Sequence, residues 1–155
     1  MNLQKQITTN NVLAITIGLI YLWFGGLKFF AELSPAEDQA KRTIDLLTFG
    51  LIPSNVSILM LAVGESLIGI LLILNIYRKP VIIMAITHLI FTFSPVFFFP
   101  DEILTSFPIG LTLLGQYIVK NIVIIGALFT LYKLTNMVQA FEKERALTSS
   151  LEKVG

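Results

Sequence analysis

Apolar residues gather in four long runs, residues 12–30, 56–77, 81–99 and 110–132, with polar stretches between them. A helix rises about 1.5 Å per residue, so about 20 residues cross the hydrocarbon core of a bilayer, and each run is of that order. The pattern predicts an all-α chain: an integral membrane four-helix bundle, one domain over residues 1–155, with the lipid bilayer as its first partner. The first run follows a lysine near the N-terminus, as the core of a signal peptide would. It exceeds the usual ~7–15-residue signal core and lacks a small-residue cleavage site, so it is read as a retained span.

The connections carry their own signals. Ser34-Pro35-Ala36-Glu37 has the form of a capping box with proline at the first helical position. It predicts a short amphipathic helix over residues 35–49. Ile44, Leu47 and Leu51 form its apolar side, Glu37, Asp38, Lys41, Arg42 and Asp45 its wet side, and Gly50 and Pro53 end it. Such a helix lies on the membrane surface or covers the mouth of a bundle. Ser94-Pro95 and Phe99-Pro100 are expected to kink and then end the third helix. Residues 101–108 read as an acidic turn. Charge returns after residue 132, with Leu134, Met137, Phe141 and Leu147 at roughly helical spacing. This predicts a helical tail over 133–155 and a candidate weak contact with a second copy.

Polar residues inside the runs change the picture from a generic bundle to one with a candidate site. Glu65 stands near the middle of the second run, where a carboxylate costs at least ~2.5 kcal/mol. Ala14, Gly18, Tyr21, Gly25 and Lys28 recur at steps of four and three, which places them on one helical face that a neighbour can approach closely. Ala62, Ser66 and Gly69 form a similar edge on the second span. Counting at about 1.5 Å per residue from the outer boundary puts Glu65 and Lys120 roughly 13–14 Å deep and His88 roughly 16 Å, with Lys28 near the outer surface. Glu65 is therefore expected to pair with Lys120, with His88 and Gln116 completing a polar network inside the bundle. The candidate ligand-binding residues are Tyr21, Lys28, Glu65, His88, Gln116 and Lys120. Two readings stand side by side. The network is either glue that fixes helix register, or a small polar pocket for a headgroup or a proton. Interhelical polar contacts in membranes average only ~0.6 kcal/mol, which makes glue alone a costly use of several charges.

Composition narrows the chemistry. Hydrophobic residues make up 55% of the chain and charged residues 14%, with a mean hydropathy of +0.81; ordinary globular chains carry roughly 25% charged residues. The absence of cysteine excludes disulfide exchange, iron–sulfur clusters and thiolate metal sites within this chain. A single histidine excludes two-histidine haem or copper ligation, and with Glu65 as the one co-ligand in reach of His88 no metal site is expected. The net charge of +1 carries no argument for nucleic acid, and none is expected as a partner. Lys5, Arg78, Lys79, Lys133, Lys143, Arg145 and Lys153 fall on one side of a four-span arrangement, and only Lys41 and Arg42 on the other. The positive-inside rule then puts both termini in the cytoplasm, most simply at a bacterial inner membrane.

Three segments resemble the DoxX-like family of small four-helix membrane proteins. Tyr21-Leu22-Trp23-Phe24-Gly25-Gly26-Leu27-Lys28-Phe29 is similar to its aromatic-Gly-x-x-Lys first helix. Gly64-Glu65-Ser66-Leu67-Ile68-Gly69 is similar to its Glu-x-x-x-Gly second helix, and Gly115-Gln116-Tyr117-Ile118-Val119-Lys120-Asn121 to its Gly-x-x-x-x-Lys-(Asn/Asp) motif. The resemblance covers the chain up to about residue 132, and His88 matches no motif of it. It implies Lys28, Glu65 and Lys120 as the shared polar residues. It also implies a membrane accessory subunit of a quinone-linked redox system, with a quinone or a lipid as ligand and an oxidoreductase subunit, or a second copy of the chain, as partner. Lys120 would then donate to a quinone carbonyl and Glu65 or His88 relay the proton. The chain itself carries no redox cofactor, so electrons would come from the partner. A different class stays open: a non-enzymatic assembly or scaffold protein whose buried polar network is structural.

Overall fold

A computed structural model describes residues 3–30, 33–34, 36–106 and 110–152. The order is α1 (Leu3–Leu27), α2 (Glu37–Leu47), α3 (Ser54–Ile73), α4 (Arg78–Phe91), α5 (Ser94–Phe98), α6 (Pro100–Ile103), β1 (Leu104–Ser106), β2 (Gly110–Leu111), α7 (Leu113–Val119) and α8 (Asn121–Glu152). Four helical segments among the described residues are long and apolar enough to cross a membrane: Ile7–Leu27, Ser54–Ile73, Arg78–Phe98 and Leu113–Leu151.

The most extensive pairing is α1 against α3. Glycine makes it. A Cβ on Gly18 would lie 2.8 Å from Gly69 O, and one on Gly69 would lie 2.7 Å from both Gly18 O and Leu22 N. Backbone thus meets backbone where the sequence shows its small-residue stripes. Ala14, Ile17 and Tyr21 of α1, Ile68 and Leu72 of α3, Val81, Ile82, Ala85 and Leu89 of α4, and Leu128 and Leu131 of α8 close one buried core. Large apolar side chains face outward as well as inward. Val12, Leu19, Trp23, Val63, Leu67, Met84, Ile90 and Phe129 are all exposed. Exposed apolar side chains on all four long helices suggest a surface that faces lipid.

Proline acts as its position predicts. The third run breaks at Thr92–Phe93, and Pro95 sits in the first turn of α5. Pro100 likewise opens α6. The fourth run departs from the expected single helix over 110–132. Gly110 and Leu111 pair with β1 as a short antiparallel ribbon, and the helix starts only at Leu113. Thr112 caps it, its hydroxyl accepting from the Gly115 amide at 3.0 Å. The helix then turns at Lys120 before α8 runs on unbroken to Glu152. The expected tail is therefore part of the same helix; residues 153–155 lie outside the described residues.

The expected loop helix exists over Glu37–Leu47, with two corrections. Its N-cap is Ala36, with no side-chain cap. Ser34 contributes its backbone carbonyl to the Glu37 amide at 3.2 Å, and Pro35 lies outside the described residues, so the capping box does not form by the Ser34 side chain. The buried residues of α2 are Gln39 and Thr43, while Leu51 lies beyond the helix end and is 81% exposed. The helix has rolled so that Gln39 and Thr43 are its buried residues, while Ile44 is half-buried and Leu47 exposed. Arg42 pins it from outside, with an ion pair to Glu102 at 2.7 Å and its guanidinium 4.2 Å above the Phe99 ring.

Candidate functional site

The site begins with Gly25. A Cβ there would lie 2.7 Å from Ser66 N and 2.9 Å from Glu65 Cβ, so only glycine lets α1 touch α3 at the level of the buried acid. Three residues on, α1 has ended and Lys28 sits in the following turn. Its ammonium folds back to donate to Phe24 O at 3.3 Å and to Glu65 Oε2 at 2.7 Å. The side chains of this ion pair are 11% and 8% exposed.

The other carboxylate oxygen is met by α4. His88 Nε2 lies 3.1 Å from Glu65 Oε1. An ionised carboxylate only accepts, so the ring proton belongs on Nε2, which leaves Nδ1 as an acceptor. Tyr21 Oη lies 3.4 Å from Nδ1, and the tyrosine donates its one proton to Ala85 O at 2.8 Å. The Tyr21 and His88 rings lean together, with centroids 5.6 Å apart. Hydrogen bonds therefore join Lys28, Glu65 and His88, and Tyr21, whose proton goes to Ala85 O, extends the same polar row by ring contact with His88.

Lys120 does not belong to it, which corrects the expected Glu65–Lys120 pair. Its ammonium stands 3.6 Å from the centroid of the Tyr117 ring and 4.6 Å from that of Phe24, held by cation–π attraction. Depth along the helices is a poor guide to partners here. The close α1–α3 contact at Gly25 fixes which cation faces the acid, and the turn at Lys120 carries that side chain onto the aromatic pair instead. Gln116 is also outside the network. It is exposed, its amide lies 3.5 Å from Leu111 O, and it lines no part of the cavity described next.

A cavity of ≈ 190 Å³ opens beside the polar row. Tyr21, Lys28, Glu65, His88 and Lys120 all contribute to its wall, together with Thr92 and Asn121. Asn121 Nδ2 donates to Thr92 Oγ1 at 3.2 Å, and Thr92 Oγ1 donates to Leu89 O at 2.6 Å. The remaining wall is mostly apolar and aromatic, with Phe24, Leu61, Leu89, Phe91, Leu114, Tyr117 and Ile118, and α2 adds Gln39, Thr43, Ile44 and Leu47. Asn121 follows the lysine in the motif quoted from the sequence, whereas Tyr117, Thr92, Gln39 and Thr43 are not singled out there. Tyr117 stands one helical turn before Asn121 on the lysine's own segment, and Gln39 and Thr43 share the same spacing on α2.

The arrangement can do three things. It places a carboxylate between two nitrogen donors, it sets a histidine ring against that carboxylate, and it presents an ammonium group to an acceptor in a largely apolar space. Among the described residues no group of three histidine, cysteine, aspartate or glutamate side chains is placed to hold a metal ion. No family model, no curated protein and no solved structure matches this chain.

Proposed function

We propose that this chain is a multi-pass integral membrane protein that receives a quinone ring in the cavity between its helices, as an accessory subunit of a quinone-linked redox system. The observation that carries the reading is the pairing of an apolar cavity with one polar wall, the row Lys28–Glu65–His88–Tyr21. A quinone is a flat apolar ring with carbonyl oxygens that accept hydrogen bonds, and its isoprenoid tail partitions into lipid. A dry cavity of about 150 Å³ takes up benzene, so ≈ 190 Å³ suits one substituted ring. Lys120, on its aromatic platform, donates to one carbonyl oxygen. Glu65 and His88 would relay protons to the ring oxygens, which take up two when two electrons from the partner reduce the quinone to a quinol. With no cysteine and one histidine, the chain draws its electrons from a partner subunit.

Purification from native membranes in mild detergent, followed by solvent extraction, tests this. The expected result is near-stoichiometric quinone, identified by a near-ultraviolet band that borohydride bleaches, and its loss in a folded His88→Ala variant. Protein free of quinone at every step would favour the scaffold reading. One observation already leans that way, since both oxygens of Glu65 are occupied by the chain's own side chains.

The basic residues support an orientation with both termini in the cytoplasm of a bacterial cell and α2 at the outer face. Reporter fusions after residue 155 and within the Asp101-Glu102 turn are expected on opposite sides of the membrane. The same side for both would overturn the four-span arrangement.

A further inference from the structure

The cavity wall carries a charge that nothing else on it answers. Glu65 is the one acid among the described residues that line the cavity, and it is already matched by Lys28 at 2.7 Å. Lys120 lines the same space. Among the described residues no carboxylate and no hydrogen-bond acceptor meets its ammonium, whose neighbours are the Tyr117 ring at 3.6 Å and the Phe24 ring at 4.6 Å. Aromatic faces attract a cation, but they do not neutralise it. The backbone adds charge of the same sign. The fourth run turns at Lys120, where Val123 N donates to Lys120 O at 3.1 Å, and the 32-residue α8 starts at Asn121 on the cavity wall. The first amides of a helix have no partner within it and carry partial positive charge. Interrupted transmembrane helices turn such ends toward the anionic groups of their ligands. A neutral ring carbonyl would take one hydrogen bond from Lys120 and leave the charge unmatched.

We infer that the cavity takes the carboxylate of a long-chain fatty acid, with Lys120 as its counter-charge and the apolar wall around the first part of the chain. The inference shares the cavity with the quinone reading but does not rest on it. Charge selects an anion, and volume selects its kind. A dry cavity of about 150 Å³ takes up benzene, so ≈ 190 Å³ suits a carboxylate with a handful of methylene groups. A phosphoglycerol head with two acyl chains is far bulkier. Ile20 and Phe91 line the cavity and are yet 39% and 58% exposed, so the cavity meets the outer surface of the bundle beside them. The rest of an aliphatic chain passes there into lipid.

Scintillation-proximity binding of tritiated palmitate to the full-length protein tests the assignment. The protein is held in a neutral detergent at mildly alkaline pH, where the acid is ionised, and the competitors are unlabelled palmitate and methyl palmitate. The ester keeps the chain and removes the charge. Palmitate is expected to compete about tenfold more strongly, as a charge-assisted hydrogen bond provides. Lys120→Met should erase that preference by weakening palmitate alone, and Lys120→Arg should keep it. Lys120→Gln takes the place of Lys120→Met if the latter does not fold. No saturable palmitate binding, equal competition by acid and ester, or a preference that survives loss of the Lys120 charge would overturn the carboxylate site and leave the quinone reading standing. A third competitor, 2-methyl-1,4-naphthoquinone with one isoprenyl unit, reports on that reading separately. If it leaves bound palmitate in place, the quinone reading fails and the carboxylate site holds.

Discussion

Lys28→Met is expected to destabilise the protein strongly, and Lys120→Met only weakly. The sequence favours Lys120 as the acid's partner and puts Lys28 near the outer surface, but the structure reverses what each leaves behind. Removing Lys28 strands the Glu65 carboxylate, which is buried and keeps only His88 as a donor. Breaking one partner of a buried ion pair costs about 3–5 kcal/mol, because the remaining charge has no compensation. Glu65→Gln should cost a similar amount by stranding the Lys28 ammonium. The double variant removes both charges, so its loss should fall well short of the sum. Lys120→Met forfeits a cation–π contact with Tyr117 and Phe24, worth about 0.5–2 kcal/mol, and strands no charge. Combined with Glu65→Gln it should add within ~0.5 kcal/mol, as independent sites do. Thermal denaturation in one detergent across these variants measures both cycles. Additivity for Lys28 with coupling for Lys120 would mean that the acid faces α7 and α8 rather than the end of α1.

That contrast also marks how far the sequence reaches. Four apolar runs, the proline breaks at Pro95 and Pro100, and the glycine stripes of α1 and α3 are legible because each follows from local chemistry and helical period. So is the gathering of Tyr21, Lys28, Glu65, His88 and Lys120 around one space, since polar groups in apolar helices turn to the same interior. The pairing within that set is not legible. Residue counting gives height along a helix, whereas an ion pair depends on rotation about the helix axis and on the distance between axes. The glycine contacts of α1 with α3 decide both. Lys28 gains reach because α1 ends one residue before it, a boundary that residue counting misplaces by three positions. The roll of α2 was hidden for a related reason. Ile44 and Leu47 advertise an apolar side, and nothing in the helix's own sequence says that the surface beneath it is partly polar.

The glycine contact yields the sharper structural test, because nature has placed a control beside it. Gly25 and Gly26 are adjacent in α1. A Cβ on Gly25 would meet Ser66 N at 2.7 Å, Ser66 Oγ at 2.8 Å and Glu65 Cβ at 2.9 Å, whereas a Cβ on Gly26 would meet nothing within 4 Å. The first and third of those neighbours cannot swing aside. To reach ordinary contact, which begins near 3.4 Å, α1 must retreat from α3. Gly25→Ala is therefore expected to destabilise by about 1–3 kcal/mol, the usual range for overpacking. Gly26→Ala should be neutral or stabilising by up to ~1 kcal/mol, since alanine favours the helix and restricts the unfolded chain. Thermal melts of the two variants should diverge in opposite directions. Equal behaviour would mean that the two helices do not touch at Gly25. The retreat has a second consequence. It draws Lys28 away from Glu65, whose separation is now 2.7 Å, so part of the Gly25→Ala penalty is a weakened ion pair. Introduced into a Lys28→Met/Glu65→Gln background, Gly25→Ala should then cost measurably less than it does in the natural sequence. An unchanged penalty would confine the damage to helix packing and separate the glycine contact from the charge it brings into place.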